Sequence, residues 1–372
     1  MNIYHPKTFD FTILGAGLAG LSLADFLNNM GYRVLIIEKS AIGSGASGTP
    51  VGLVNPATGR KANLSWEAAK CHCLISENLS RVQEENKQQP FFSRSGVLRP
   101  AIDDETYTNF RKAYERDDWP DGWCSWMSAD GVRKANPYLI ETKGGLLIHA
   151  GLSVRVLDYL KAYAKVLERK NVTQLTQQNY QLIPDDQHWK IKSDESGIFK
   201  TASVIFACGH AVVNSPYWRE IPLHPVKGQI SKYTTEERLK WDIPIAASGY
   251  FARSGENEYV TGGTYEHDFA DEQFDKKGLS ILENKLRRTM PSLLEKSVLT
   301  GQWAGIRAST PNRLPVIGSH QQEPNLYIFS GLGSKGLLYS KYTAQLLGAF
   351  LVDGKQLPPE LNISRLSANR VR

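Results

Sequence analysis

Residues 9–38, FDFTILGAGLAGLSLADFLNNMGYRVLIIE, decide the fold. The apolar run Phe11–Leu14 predicts a buried strand, and Gly15-Ala-Gly17-Leu-Ala-Gly20 a tight turn into a helix. Along that helix Leu18, Leu21, Phe26, Leu27 and Met30 are available to pack on a sheet, and Gly31 is placed to end it. Val34–Ile37 is a second fully apolar strand, finished by Glu38, which lies 23 residues after Gly15. Each part has a chemical task. Gly15 permits the turn, Gly17 lets backbone N–H groups approach a pyrophosphate, and Gly20 lets helix and strand pack closely. The helix N-terminus adds positive potential beside the phosphates. Glu38 is placed to accept hydrogen bonds from the hydroxyls of an adenosine ribose. The motif predicts a dinucleotide and leaves NAD and FAD both open.

With 372 residues, the chain is long enough for two cores, and 41% hydrophobic with 22% charged residues is the composition of a globular protein. A net charge of +6 suits an anionic ligand but is too diffuse to demonstrate nucleic-acid binding. Cys71-His72-Cys73 has no second ligand pair and reads as part of a helix rather than a metal site. Nothing in the four cysteines demands disulfides, and MNIYHPKTFDF lacks the basic and apolar regions of a signal peptide. No apolar run is long enough for a membrane span, so the expectation is a cytoplasmic protein.

Beyond the opening unit, Gly43–Pro50 reads as a loop, Ser65–Val82 as a long helix and Gln83–Pro90 as a polar linker. Gly96–Pro100 and 144–148 read as strands, and 103–137 as helical segments around Trp119, Trp123 and Trp126, whose expected role is packing. Val156–Arg169 is an amphipathic helix, and Asn171–Leu175 with Trp189–Ser193 suggests a meander. Ser203–Gly209 is a buried strand ending in glycine, 222–264 alternates as strands do, and 275–290 is a charged helix. Leu326–Ser330, Gly331–Gly336 and Leu337–Val352 repeat the strand–glycine–helix order. The expected architecture is α/β: a discontinuous Rossmann-like domain with an inserted α+β substrate domain, mostly antiparallel sheet. The expected divisions are 1–82, 144–215 and 301–372 for the dinucleotide domain, with 83–143 and 216–300 for the insertion.

GAGLAG with Glu38, GSGASG at 43–48, VIFACG at 204–209, PVKGQ at 225–229, GIRASTPNRLPVIG at 305–318 and GLGSKG at 331–336 occur in this order over most of the chain. Together they resemble the D-amino-acid oxidase/glycine oxidase superfamily of flavoproteins. GGTYEHDF at 262–269 and the tail GLGSKGLLYSKYTAQLLG resemble in particular the oxidase domain of bifunctional tRNA wobble-uridine modification enzymes. That domain removes a carboxymethyl group from a carboxymethylaminomethyl base. Lys335 stands where arginine is typical, and no methyltransferase segment is matched.

The resemblance implies FAD. Gly15, Gly17, Leu18, Ala19, Gly20, Glu38 and Lys39 would hold its adenosine and pyrophosphate. Ser44, Gly45, Ala46, Ser47, Gly48, Gly52 and Leu53 would follow the flavin, with Val172, Ala207 and Gly209 as further contacts. Gly331, Leu332, Gly333, Ser334, Lys335, Gly336 and Leu337 would face the flavin edge where negative charge accumulates on reduction. Arg307 is the expected anchor of a substrate carboxylate, although Ala308 follows it where proline is usual. Tyr250, Tyr259, Tyr265 and His267 are further pocket candidates. The implied reaction oxidises a carboxylate-bearing amine by hydride transfer to flavin N5, after which the imine hydrolyses. The acceptor is oxygen or another oxidant, since Tyr259–Thr264 lacks the lysine that related sarcosine oxidases use. Two alternatives are a tRNA-modifying oxidase and a flavoprotein subunit for binding or electron transfer. Arg365, Arg370 and Arg372 read as a solvated basic tail that a tRNA could contact.

Overall fold

Strand β1 (Lys7–Leu14) lies inside an eight-stranded sheet, paired on both edges and covered on both faces, which is why its last four residues are all buried. The computed structural model describes residues 7–87 and 89–367; Arg370 and Arg372, like the first six residues of the signal-peptide assessment, lie outside them. Helix α1 (Leu18–Asn29) follows the glycine turn, and β2 (Val34–Ile37) returns parallel to β1. Gly31 ends the helix as expected: its N–H donates to the Asn28 carbonyl and that of Tyr32 to Leu27, closing a Schellman turn. Met30, expected against the sheet, lies beyond the last helical turn and is 51% exposed.

Three remote segments join this sheet in parallel. Gly197–Phe206 pairs parallel to β1, Thr173–Leu175 parallel to β2, and Leu326–Ser330 parallel to the far side of Val204–Phe206. His188–Ser193 and Tyr180–Asp185 extend it antiparallel, and Val316–Ser319 pairs with Leu326–Ser330. Thr173–Leu175 therefore does not share a meander with Trp189–Ser193. The two lie on opposite sides of β1, because a short strand after a crossover helix docks at the free edge of β2.

The second eight-stranded sheet runs in the order Ser297–Ser309, His224–Thr235, Glu258–Gly262, Tyr250–Arg253, Ile245–Ala246, Val97–Pro100, Gly145–Ile148, Cys124–Met127. Two expected divisions do not coincide with sheet membership. Gly145–Ile148 hydrogen-bonds within this second sheet, and Ser297–Ser309 runs unbroken through position 300. Cys124–Met127, expected in a helical region, pairs as its edge strand. The helix expected at Ser65–Val82 spans Ala68–Asn86 instead. Glu67 takes a left-handed conformation before it, and the polar stretch read as a linker continues the helix on its solvent side until Lys87. The 275–290 helix is Lys276–Thr289, capped by Asp275, whose side chain accepts from the Gly278 N–H.

Four helices share one buried ionic knot. Asp25 of α1 accepts through Oδ2 from Arg81 at 2.9 Å, Lys341 at 2.7 Å and the Tyr163 hydroxyl at 2.8 Å. Its partners come from Ala68–Asn86, Gly336–Asp353 and Val156–Arg169, so this carboxylate ties the N-terminal helix to three others. Burial pushes the Asp25 carboxyl up, but the charges of Lys341 and Arg81 outweigh it and hold the group below its ordinary value. A depressed folded value stabilises the fold above the unfolded carboxyl's titration, and that contribution disappears as pH falls through the folded one. Asp25→Ala is expected to cost about 3–5 kcal/mol by leaving Lys341 buried without its counter-charge. Urea unfolding at neutral pH measures this loss, and the gap between wild type and variant should close in acid.

Candidate active site

The register of the parallel strands builds the site. Leu14 lies opposite both Ile37 and Phe206, so the glycine turn, Glu38 and Ala207 emerge at one edge of the sheet. Gly15 has φ +113°, and a Cβ there would stand 2.6 Å from the Ala207 carbonyl oxygen. A Cβ on Gly20 would stand 1.9 Å from the Gly15 oxygen, so only glycine lets α1 start this close to the strand. The first turn of α1 carries no acidic residue, and the Leu18 N–H donates to Ser47 Oγ at 3.2 Å. Ala19 is buried behind that turn. Glu38 takes the Ala16 N–H on Oε2 and the Ser40 N–H on Oε1, each at 2.9 Å, which holds its carboxylate above the turn.

The 43–48 loop is fastened to the same place. The Gly43 N–H donates to the Ala16 carbonyl, Ser44 Oγ reaches Glu38 at 3.4 Å, and Ala46–Gly48 forms one short turn of 3₁₀ helix. Gly45 and Lys39 are exposed at the rim. Gly52 and Leu53 lie in a strand paired with Leu152–Val154, and Gly52 packs between Leu337 and Val156. Gly209 accepts the Ser330 hydroxyl at 3.0 Å, tying the middle strand to the C-terminal one. Val172 is buried in the helix-side core rather than open at this edge.

The C-terminal turn closes the other side. Gly331 and Gly333 have positive φ, and the Gly333 N–H donates to the Ala308 carbonyl, next to Arg307. Gly336 abuts Leu18, Leu332 is half-buried and Ser334 exposed. The helix Gly336–Asp353 also begins without an acidic residue in its first turn. Lys335 turns back over the Tyr339 ring, with Nζ 3.2 Å from its hydroxyl, and burial together with the Arg313 charge pushes its proton affinity down.

On the second sheet, Arg307 is half-buried on the strand Ser297–Ser309. Its Nη1 donates to the Thr264 carbonyl at 2.9 Å, and its guanidinium lies 4.6 Å from the centroid of Tyr265. Among the described residues no carboxylate pairs with it. Tyr250 donates its hydroxyl to the Val51 carbonyl at 2.6 Å, and burial pushes that phenol up to about 12, so it remains a donor near neutrality. Tyr265 is 63% exposed and covers the guanidinium from outside.

Other candidates separate from this cluster. Tyr259 is fully buried, stacked on Tyr233, and donates to Ser297. His267 is exposed. Trp119 bonds the Ala113 carbonyl, Trp126 packs on Tyr107, and Trp123 meets His72, as expected of packing residues. Cys71 and Cys73 lie on one helix, and among the described residues no group of three or more His, Cys, Asp or Glu could hold a metal. Arg365 is no solvated tail: its guanidinium bonds Asn312 and the Leu314 and Pro315 carbonyls.

Thr264, Glu266 and Gln229 surround Arg307, although the sequence marks them only as members of longer motifs. Thr264 Oγ1 donates to buried Glu266 and accepts from the Gln229 N–H, which fixes the carbonyl that Arg307 grips. Gln229 continues the network to Asp275, and Asp275 to the buried ammonium of Lys227.

Two helix N-termini without acids, a turn that any Cβ would block and a carboxylate above it fit an FAD. Residues 10–349 match the family described as DAO, FAD dependent oxidoreductase. The chain belongs to that family. The fold matches glycine oxidase from Geobacillus kaustophilus with a TM-score of 0.83 and 21% identity, over 96% of this chain and 99% of that one. It matches L-proline dehydrogenase from P. horikoshii with a TM-score of 0.83 and 19% identity, over 99% and 100%. Among curated proteins, the bifunctional tRNA 5-methylaminomethyl-2-thiouridine biosynthesis protein MnmC of Leptospira interrogans is 25% identical over 94% of this chain. The chain spans 58% of that relative's length. As a DAO-family member it is an FAD-dependent oxidoreductase, and no helix among its described residues is long and apolar enough to cross a membrane.

Replacing Gly17 by valine puts bulk on the turn beside Ser47 Oγ, 2.9 Å from a Cβ at that position. Purified Gly17→Val is expected to keep its far-ultraviolet circular dichroism while its Kd for FAD, measured by titration of the apoprotein, rises at least tenfold, a loss of ~1.4 kcal/mol or more of cofactor binding.

Proposed function

We propose that this chain oxidises an amine that carries a carboxylate, an amino acid or an N-substituted glycine. The observation that carries this reading is Arg307: a half-buried guanidinium, aimed by a backbone carbonyl and free of any acidic partner among the described residues. Such a group binds a carboxylate through two parallel hydrogen bonds, which fixes orientation as well as affinity. Bound FAD supplies the two-electron acceptor. The chain's residues supply placement. Arg307 fixes the acid end of the substrate and so directs the adjacent carbon, while Tyr265 shields the guanidinium from water. Tyr250, held by Val51, forms a wall that stays protonated near neutrality. Holding a reactant in one orientation is worth several kcal/mol, and this chemistry asks little of acid–base groups because the amine lone pair drives it. The Gly331–Gly336 turn and Lys335 would stabilise negative charge on the reduced cofactor.

A second reading has its own support. The curated relatives act in tRNA modification, and a carboxymethylaminomethyl base is itself an N-substituted glycine, so Arg307 would hold its carboxylate in the same way. The tRNA enzyme would differ by binding RNA in a salt-dependent manner, through phosphate contacts.

Anaerobic mixing with a panel of amino acids, N-methylglycine and carboxymethylaminomethyl-uridine is expected to bleach the flavin with at least one of them. No bleaching by any would sink the proposal. Arg307→Met should raise KM for the active compound by roughly 10- to 100-fold, matching the ~1.5–3 kcal/mol of a hydrogen bond to a charged group. tRNA binding that weakens steeply between low and moderate salt would decide for the second reading.

A further inference from the structure

A notch of about 180 Å³ opens between the hairpin formed by Ala57–Thr58 and Asn63–Leu64 and the helix Asp104–Tyr114, and Arg307 takes no part in it. Its lining is Lys61, Asn63, Asn109, Lys112, Ala113 and Arg116. Every charged group among these is a cation. Asp118 meets Arg116 Nε at 3.2 Å from outside the lining, but among the described residues no carboxylate pairs with Lys61 or Lys112, both of which are exposed. Asn63 Oδ1 accepts from Arg116 Nη1 at 2.9 Å, which leaves the Asn63 amide N–H groups as donors.

Two guanidiniums hold the hairpin in place. Arg99 donates to the Ala57 and Gly59 carbonyls, and Arg116 Nη2 to that of Ala62 at 2.7 Å. Ala62 and Ala113 are buried in one apolar cluster with Phe110, so hairpin and helix are packed together and the lysines stand on a fixed backbone. Arg99 is 6% exposed, lies 4.8 Å from the Phe110 ring centroid and has no acidic partner among the described residues. Burial lowers its proton affinity only to about 10, so it is charged at neutrality. A buried cation without a counter-charge adds positive potential to the surface above it.

We infer that this notch binds one phosphodiester of a nucleic-acid strand. Its volume lies below the roughly 300–1,000 Å³ of sites that enclose a small molecule, so it fits a single anionic group whose parent remains outside. Two unpaired ammonium groups and side-chain amides match the oxygens of a phosphate, which takes charge-assisted hydrogen bonds. Exposed Arg60, next to Lys61 at the hairpin tip, carries the positive surface beyond the notch, where the next phosphate of a strand would lie. A free ion has no use for that extension. The inference stands on the notch alone and not on which amine the flavin site oxidises.

The test uses the flavin-loaded protein, a short unmodified RNA carrying a fluorophore, and inorganic phosphate. Fluorescence anisotropy over a range of salt concentrations gives the Kd and its salt dependence. Lys61→Ala/Lys112→Ala is expected to raise the Kd about tenfold and to flatten the slope of log affinity against log salt by roughly one, as for the loss of one phosphate contact. Lys61→Arg/Lys112→Arg should bind as wild type does, since charge carries the contact. Lys161→Ala/Lys165→Ala removes the same charge from the exposed side of the helix Val156–Arg169 and should also bind as wild type does. No RNA binding by wild type, an unchanged Kd in Lys61→Ala/Lys112→Ala, or an equal rise in Lys161→Ala/Lys165→Ala would overturn the inference. Calorimetric binding of inorganic phosphate tighter than about 1 mM, lost in Lys61→Ala/Lys112→Ala, would overturn it as well, by making the notch a site for the free ion. Amine oxidation is read separately by flavin bleaching in wild type, so its failure is distinguishable from failure of this site.

Discussion

The structure depends on one close approach, Gly15 against Ala207. β1 and the strand Gly197–Phe206 are in register to their ends, so the chain leaving β1 must turn directly over the chain leaving its neighbour. With φ +113° and no Cβ, Gly15 makes that turn at a distance where any side chain would strike the Ala207 carbonyl. The N-terminus of α1 is thereby pinned at the strand ends, where its positive potential suits an anionic ligand. Glu38, the Gly43–Gly48 loop and the Gly209–Ser330 contact are all fastened to this edge. Segments remote in sequence thus share one short rim.

The second constraint is the strand Ser297–Ser309, which joins the two sheets mechanically. It pairs with His224–Thr235 along most of its length, and near its end Ala308 accepts the Gly333 N–H from the C-terminal glycine turn. Gly305 of the same strand approaches Ala46 so closely that a Cβ would stand 3.1 Å from Ala46 Cα. Arg307, two residues on, is therefore set by backbone pairing on one side and by the cofactor rim on the other. A side chain carried on a strand is held more tightly than one on a loop, which suits the orienting role proposed for Arg307. Thr264 and Glu266 serve the same end by fixing the carbonyl that receives the guanidinium.

Much of this was legible in the sequence. The strand–glycine–helix unit, Gly31 as a stop and the buried strands at 203–206 and 326–330 follow from local pattern, where period and turn chemistry act within a few residues. The structure departs from the local pattern at three places, each for its own reason. Gln83–Asn86 looked like a linker because its residues are polar, yet polar residues are what the solvent face of a helix requires. Thr173–Leu175 looked like a meander partner because it is near in sequence, whereas strand pairing is decided by which edge is free. Arg365, expected in a solvated basic tail, instead bonds three backbone carbonyls and the Asn312 side chain.

By itself the sequence determined the strand–glycine–helix units and the motifs by which the chain resembles FAD-dependent oxidoreductases. Those properties reside in short stretches whose chemistry is local. Only the tertiary structure decided that Arg307 has no acidic partner among the described residues and that Asp25 binds four helices together. Each of these is a relation between residues far apart in the chain. Charge pairing depends on distance in space, which no periodicity along the sequence encodes.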